Sequence, residues 1–293
     1  MHHPIPESWP DAVVAWTFDP YAMTSIVALS IPYAFGVRNL WHSAGIGRGI
    51  RPAQVGAFAA GMATLALALI SPLDYFSDLL FSAHMAQHEL LMVVSAPLIV
   101  MGRPFVAFLW ALPIEERARI RAFVHAPNAR AAWSFVSAPL FVLLLHGAAR
   151  WLWHVPRLFE AAMKHDVLHA FQHVTFFGTA ALFWWAVVHG RYGKAGYGVG
   201  FLFVFATALH TSMLGALIAF TPLVLYPIYR TRSLLVGSDA HVDQQLAGFI
   251  MWVPSGFVLG AGAVVLFALW LVESERRARR GGARNAPLGR PTV

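Results

Sequence analysis

The stretch H-M-A-Q-H-E-L-L-M-V-V-S-A-P-L-I-V-M-G-R-P, residues 84–104, decides the fold. From Leu90 to Met101 it carries no charge, yet it opens on His84, His88 and Glu89. A helix crosses a bilayer with ~20 apolar residues, and in lipid only helices and closed barrels satisfy their own backbone groups. Histidines four apart share one helix face, ~6 Å of rise from each other. Imidazoles are costly in hydrocarbon, so such a pair reads as a functional site. The pattern returns as His169 and His173. On this reading the remaining chain is a scaffold that brings the two pairs together.

The whole composition agrees with a membrane setting. Of the 293 residues 58% are hydrophobic and 12% charged, where a soluble protein carries roughly 25% charged residues. Mean hydropathy is +0.60. There is no cysteine, which excludes disulfides, thiolate metal sites, iron–sulfur clusters and cysteine nucleophiles and leaves His, Met and carboxylates as metal ligands. The opening M-H-H-P-I-P-E-S-W-P lacks a basic segment followed by an apolar run, so no cleaved signal peptide is expected.

Seven apolar runs of spanning length follow: 22–41, 53–71, 79–101, 133–153, 167–188, 199–222 and 246–272. No period-two series accompanies them, so the expected class is all-α, a polytopic seven-transmembrane helix bundle. This divides the chain into an N-terminal segment 1–21, a helical domain 22–272 and a basic tail 273–293, the last expected to be disordered. Sixteen of the 21 Lys and Arg residues fall in one alternating set of loops, within 38–51, 103–130 and 191–194, and in the tail, while Arg150, Arg157, Lys164, Arg230 and Arg232 are read as charges of the opposite loops. The positive-inside rule then puts the N-terminus outside and the C-terminus inside. The net charge of +7 is thereby explained by insertion and anionic lipid, and no nucleic-acid partner is expected. P-I-E-E-R-A-R-I-R-A-F, 113–123, reads as a short amphipathic helix along the membrane surface. Pro97, Pro139, Pro222 and Pro254 should kink spans or mark their ends, with Pro254-Ser255-Gly256 as the break in the last one.

With that orientation the polar groups of several spans collect in the outer leaflet: His84 and His88, His169 and His173, His146 and His154, and Asp243 at the start of the last span, with His210 near the middle of its own. For His146 and His154 a hydrogen bond to a neighbouring helix serves as well as a functional role. His210 is assigned a metal or proton role, because burial at mid-bilayer is costlier. The other histidines fall in loops or termini and are given none. Pairs of His at i, i+4 on facing helices are a recurrent way to build a metal site. The candidate metal set is therefore His84, His88, His169 and His173, with His210 and Asp243 as auxiliary groups. Imidazole ligation suits copper or zinc, and iron less well. A bis-His haem is an alternative. An intramembrane zinc protease is disfavoured, since Glu89 follows the second His instead of the first.

Five segments carry a likeness to a known family: residues 84–104 above, W-H-V-P-R-L-F-E-A-A (153–162), H-D-V-L-H-A-F-Q-H-V-T-F-F (165–177), H-T-S-M-L-G-A-L-I-A-F (210–220) and D-Q-Q-L-A-G-F-I-M-W-V-P (243–254). Together they resemble the multi-span CtaG family of cytochrome c oxidase assembly factors, first associated with caa-type oxidases. It is distinct from the single-span copper chaperone of the same name, which uses cysteines. The resemblance implies a non-enzymatic membrane protein, oxidase subunits as partners, and help in forming the oxidase copper centre. The rival expectations are a haem- or metal-binding membrane oxidoreductase, a metal transporter, and a docking chaperone that binds no metal.

Overall fold

The computed structural model describes residues 16–190 and 196–284, which are helical with connecting turns and contain no strand. Arg191, Lys194 and Arg290, used in the charge reading, and the end of the tail at 285–293 lie outside the described residues.

Proline marks where most helices begin. Its missing N–H costs nothing in a first turn, and its fixed φ suits one. Pro20, Pro52, Pro72, Pro104, Pro127, Pro139 and Pro156 each open a helix: α1 (Pro20–Ala44), α2 (Pro52–Ile70), α3 (Pro72–Leu79), α5 (Pro104–Ala111), α7 (Pro127–Val136), α8 (Pro139–Trp153) and α9 (Pro156–Ala162). Local caps assist. Asp19 accepts from the Ala22 amide at 2.8 Å, and Ser71 accepts from the Leu73 amide at 3.1 Å. The remaining helices are α4 (Phe81–Met101), α6 (Ile114–His125), α10 (Asp166–Val188), α11 (Tyr197–Phe220), α12 (Ile228–Arg232) and α13 (Ala240–Arg284).

Among the described residues six helices, α1, α2, α4, α10, α11 and α13, are long and apolar enough to cross a membrane, and α7 with α8, bent by 55°, makes a seventh if the pair is counted as one span. The bend falls before Pro139, where the proline cannot continue the preceding helix. Within α4 the turn Leu90–Ser95 is π-helical. The neighbours of that turn use its polar groups: Trp184 Nε1 donates to the Met92 carbonyl at 2.8 Å, and Ser95 Oγ donates to the Gly61 carbonyl at 2.9 Å. Such single π turns recur at functional sites. Here it begins immediately after His88 and Glu89.

Close approach of helices rests on small residues, the usual device where lipid supplies no hydrophobic drive. A Cβ on Gly248 would lie 2.5 Å from the Ala219 nitrogen and 2.6 Å from the Gly215 carbonyl oxygen, so α11 and α13 touch backbone to backbone. A Cβ on Gly36 would likewise meet the Ala107 backbone of α5.

One end of the bundle is closed by hydrogen bonds between connecting segments. Thr17 Oγ1 donates to Asp74 at 2.7 Å, Tyr229 Oη to the Ser77 carbonyl at 3.0 Å, and Tyr226 Oη to the His154 carbonyl at 2.9 Å. Burial pushes both phenols well above the usual tyrosine value, so both remain donors. This is the end at which α1, α4, α10 and α13 begin.

Three expectations are corrected. Pro254 does not break the last span, since α13 runs through it. Packing against α11 and a hydrogen bond from Ser255 to Glu89 hold the helix on course. Nor does order stop at 272. The helix continues to Arg284, supported by Arg277–Glu273 and Arg279–Glu275 pairs, each at 2.6 Å and four residues apart. Finally, Arg150 is no loop residue but sits buried inside α8. The segment 113–123 does form a helix, α6, which contributes nothing to the core.

Candidate metal-handling site

His84 and His88 lie in the first turns of α4, and His169 and His173 in the first turns of α10. The structure brings all four rings together. Centroid separations are 4.3 Å for His84–His88 and for His169–His173, 5.3 Å for His84–His169 and for His88–His173, and 6.3 Å for His84–His173. His84 is 0% and His88 1% exposed. Phe159 and Phe176 close over them edge-on, at 5.2 Å from His84 and 4.7 Å from His88.

Neither nitrogen of His84 or His88, and neither the His169 Nε2 nor the His173 Nε2, has a hydrogen-bond partner. An unsatisfied buried polar group costs about 1–3 kcal/mol. Six of them in one cluster require an explanation other than packing. Gln172, between the two α10 histidines and fully buried, likewise leaves both amide atoms without a partner.

A metal ion is one explanation, and the ring spacing can be compared with it. An imidazole bound at ~2.0–2.1 Å through nitrogen has its centroid about 3 Å from the ion, so tetrahedral ligation separates centroids by roughly 5 Å. The observed separations straddle that figure. The side chains as they stand are not at ligation geometry: no three His, Asp or Glu groups among the described residues converge on one ion. The rings would have to turn about their side-chain torsions to do so.

The two auxiliary residues, Asp243 and His210, stand in different surroundings. Asp243 caps α4 across the bundle. It accepts from the Phe81 amide at 2.6 Å and the Ser82 amide at 3.2 Å, and the Ser82 hydroxyl bonds the same carboxylate. It therefore fixes the start of the helix that carries His84 and His88. His210 lies against Gly147 of α8, where a Cβ would come within 3.6 Å of its Nε2, and both its nitrogens are buried without partners. His146 bonds Thr179 Oγ1 at 2.9 Å. His154 bonds the Arg150 carbonyl at 2.6 Å and the Met85 sulfur at 3.4 Å. For these last two, the helix-to-helix hydrogen bond is what the structure displays.

Sequence reasoning missed a second polar layer, one turn farther along α4. Arg150 pairs with Glu89 at 2.7 Å, both nearly fully buried, and reaches the Met92 sulfur at 3.6 Å. Ser255 of α13 donates to the other Glu89 oxygen. Three helices are thus tied together beneath the histidines. The signal was an Arg and a Glu of opposite charge, each inside an otherwise apolar run.

A cavity of about 130 Å³ opens beside the cluster, with His169 and His173 in its wall and Asp19, Asp74, Asp78 and Asp166 around it.

No solved structure matches the chain. It is 27% identical to uncharacterized proteins of Mycobacterium bovis and Mycobacterium tuberculosis, over 94% of this chain and 42% of each relative. A third uncharacterized protein, from Mycobacterium leprae, is 24% identical over 90% of this chain and 41% of its own length. The chain thus spans less than half the length of these relatives. Residues 31–273, which take in nearly all of the spanning helices and all four clustered histidines, match the model of the cytochrome c oxidase caa3 assembly factor family (Caa3_CtaG), and the chain belongs to that family.

Proposed function

We propose that this protein is a non-catalytic assembly factor for a haem–copper cytochrome c oxidase, working in a bacterial inner membrane with its N-terminus outside. Its cargo is copper. His84, His88, His169 and His173 hold the ion and pass it to an oxidase subunit whose copper centre is being formed. Family membership supports the assembly role. The observation that carries the metal role is the clustering of four imidazoles whose six partnerless nitrogens are buried. Imidazole is a good ligand for copper, and a set of neutral rings with no thiolate releases the ion more readily than a cysteine site would. The Glu89–Arg150–Ser255 layer ties α4, which carries His84 and His88, to α8 and α13. Asp243 sets the start of α4, and His210 stands apart from the cluster at the α8–α11 contact.

The test is the double variant His88→Ala, His173→Ala in cells that depend on the oxidase. Removing costly polar groups from membrane helices leaves the protein inserted and abundant. The oxidase should then contain haem but lack copper, and excess copper in the medium should restore part of its activity by mass action. Normal oxidase activity in the well-expressed double variant would eliminate the metal role and leave a docking chaperone.

A further inference from the structure

The cavity beside the cluster joins features that the site description leaves separate. Its wall is formed by α1, α2, α3, α4 and α10, and it lies at the end of the bundle where α1, α4 and α10 begin. Asp19, Asp74, Asp78 and Asp166 surround it, while His169 and His173 form part of its wall. Behind those two rings lie His84 and His88, at most 1% exposed and with every ring nitrogen unpartnered.

Part of the acidity has an ordinary structural use. Asp19 caps α1, Asp166 lies in the first turn of α10, and Asp74 accepts from Thr17 and from Gln87 Nε2 at 2.7 Å each. Asp78 faces Arg232 at 3.8 Å, and the same arginine donates to the Asp78 carbonyl at 3.0 Å. Helix starts do not explain why four carboxylates surround one cavity, nor why two imidazoles share its wall. A concave wall of one charge sign concentrates counter-ions and speeds their arrival. The counter-ion selected is a cation, and the groups at the end of the path are neutral nitrogen ligands for one.

We propose that this cavity is the cation port of the histidine cluster: metal ions enter and leave between α1, α3 and α10, drawn by Asp19, Asp78 and Asp166 and received first by His169 and His173. The port rests on the metal-handling reading above and adds the route and its electrostatic control. His169 and His173 exchange the ion with the cavity, and His84 and His88 complete its ligation from within.

The experiment uses the full chain in detergent micelles with Co²⁺ as the probe, because cobalt in a nitrogen-ligand tetrahedron absorbs visibly. Loading is followed by stopped-flow absorbance at low and high salt, and the amount bound by equilibrium dialysis. In one variant Asp19, Asp78 and Asp166 are all replaced by Asn, which keeps the capping hydrogen bond and removes the charge. This variant should bind the same amount of cobalt, load about tenfold more slowly at low salt, and lose most of its salt dependence. A second variant, Ala170→Phe, fills the cavity without altering a charge and should also load slowly. If either loads at the unaltered rate with full binding, the port is wrong and the histidine site stands. If the unaltered protein binds no cobalt, or the His88→Ala, His173→Ala variant binds as much, the site itself fails and the port fails with it.

Discussion

Replacing Arg150 by Met should be among the most damaging single changes outside the histidine cluster. The Arg150 side chain is 2% exposed and that of Glu89 6%, and their ion pair is 2.7 Å long. Methionine fills much of the same space but leaves the Glu89 carboxylate with the Ser255 hydroxyl as its remaining partner in the hydrogen bonds described above. Breaking one side of a buried pair costs about 3–5 kcal/mol, which is a factor of roughly 10²–10⁴ in the folded/unfolded ratio. Replacing Glu89 alone by Leu strands the arginine and should cost about as much. The informative species is the double variant, Glu89→Leu with Arg150→Met. An apolar pair of similar volume is often neutral or better, so the double should lie within about 1–2 kcal/mol of the unaltered protein. Simple addition would put it at roughly 6–10 kcal/mol, and the difference is the coupling energy of the pair. Unfolding in mixed micelles with increasing dodecyl sulfate, followed by circular dichroism, measures all four species. A nearly neutral Arg150→Met, or a double variant that equals the sum of the singles, would refute the claim that this pair ties α4 to α8.

Other consequences can be checked separately. Gly248→Ala should destabilise by about 1–3 kcal/mol in the same assay, because its methyl would press on α11 backbone, 2.5 Å from the Ala219 nitrogen. Asp243→Ala should loosen the first turn of α4 at a cost of about 0.5–2 kcal/mol, and Asn should restore part of it; amide exchange at Phe81 and Ser82 reports the effect. On alkaline titration followed at the tyrosinate absorbance, Tyr226 and Tyr229 should ionise after the exposed tyrosines, since burial raises both above the ordinary value near 10. A reporter fused near residue 285 should behave as cytoplasmic, as the Lys and Arg distribution requires.

Much of this protein was legible in one dimension. Long uncharged runs demand helices, because lipid offers the backbone no other partner, and most of their ends were found to within a few residues, the last helix running 12 residues past the expected end at 272 to Arg284. Seven of the helix starts are prolines. The two i, i+4 histidine pairs were visible because a polar side chain in an apolar run is itself a signal. The tertiary structure decided which faces meet. That α4 and α10 turn their histidines toward each other depends on packing angles and on a π turn that no residue pattern announces. Asp243, placed by sequence among auxiliary ligands, is a cap for a helix far away in the chain, because only the folded bundle sets α13 beside the start of α4. Arg150 looked like a loop charge until Glu89 and Ser255 were found around it, and a proline that should break α13 is carried through by its neighbours. Local propensity and hydrophobicity act along the chain, so sequence reports them. Ion pairs, trans caps and cavities are made between segments, and their partners exist only after the helices have packed.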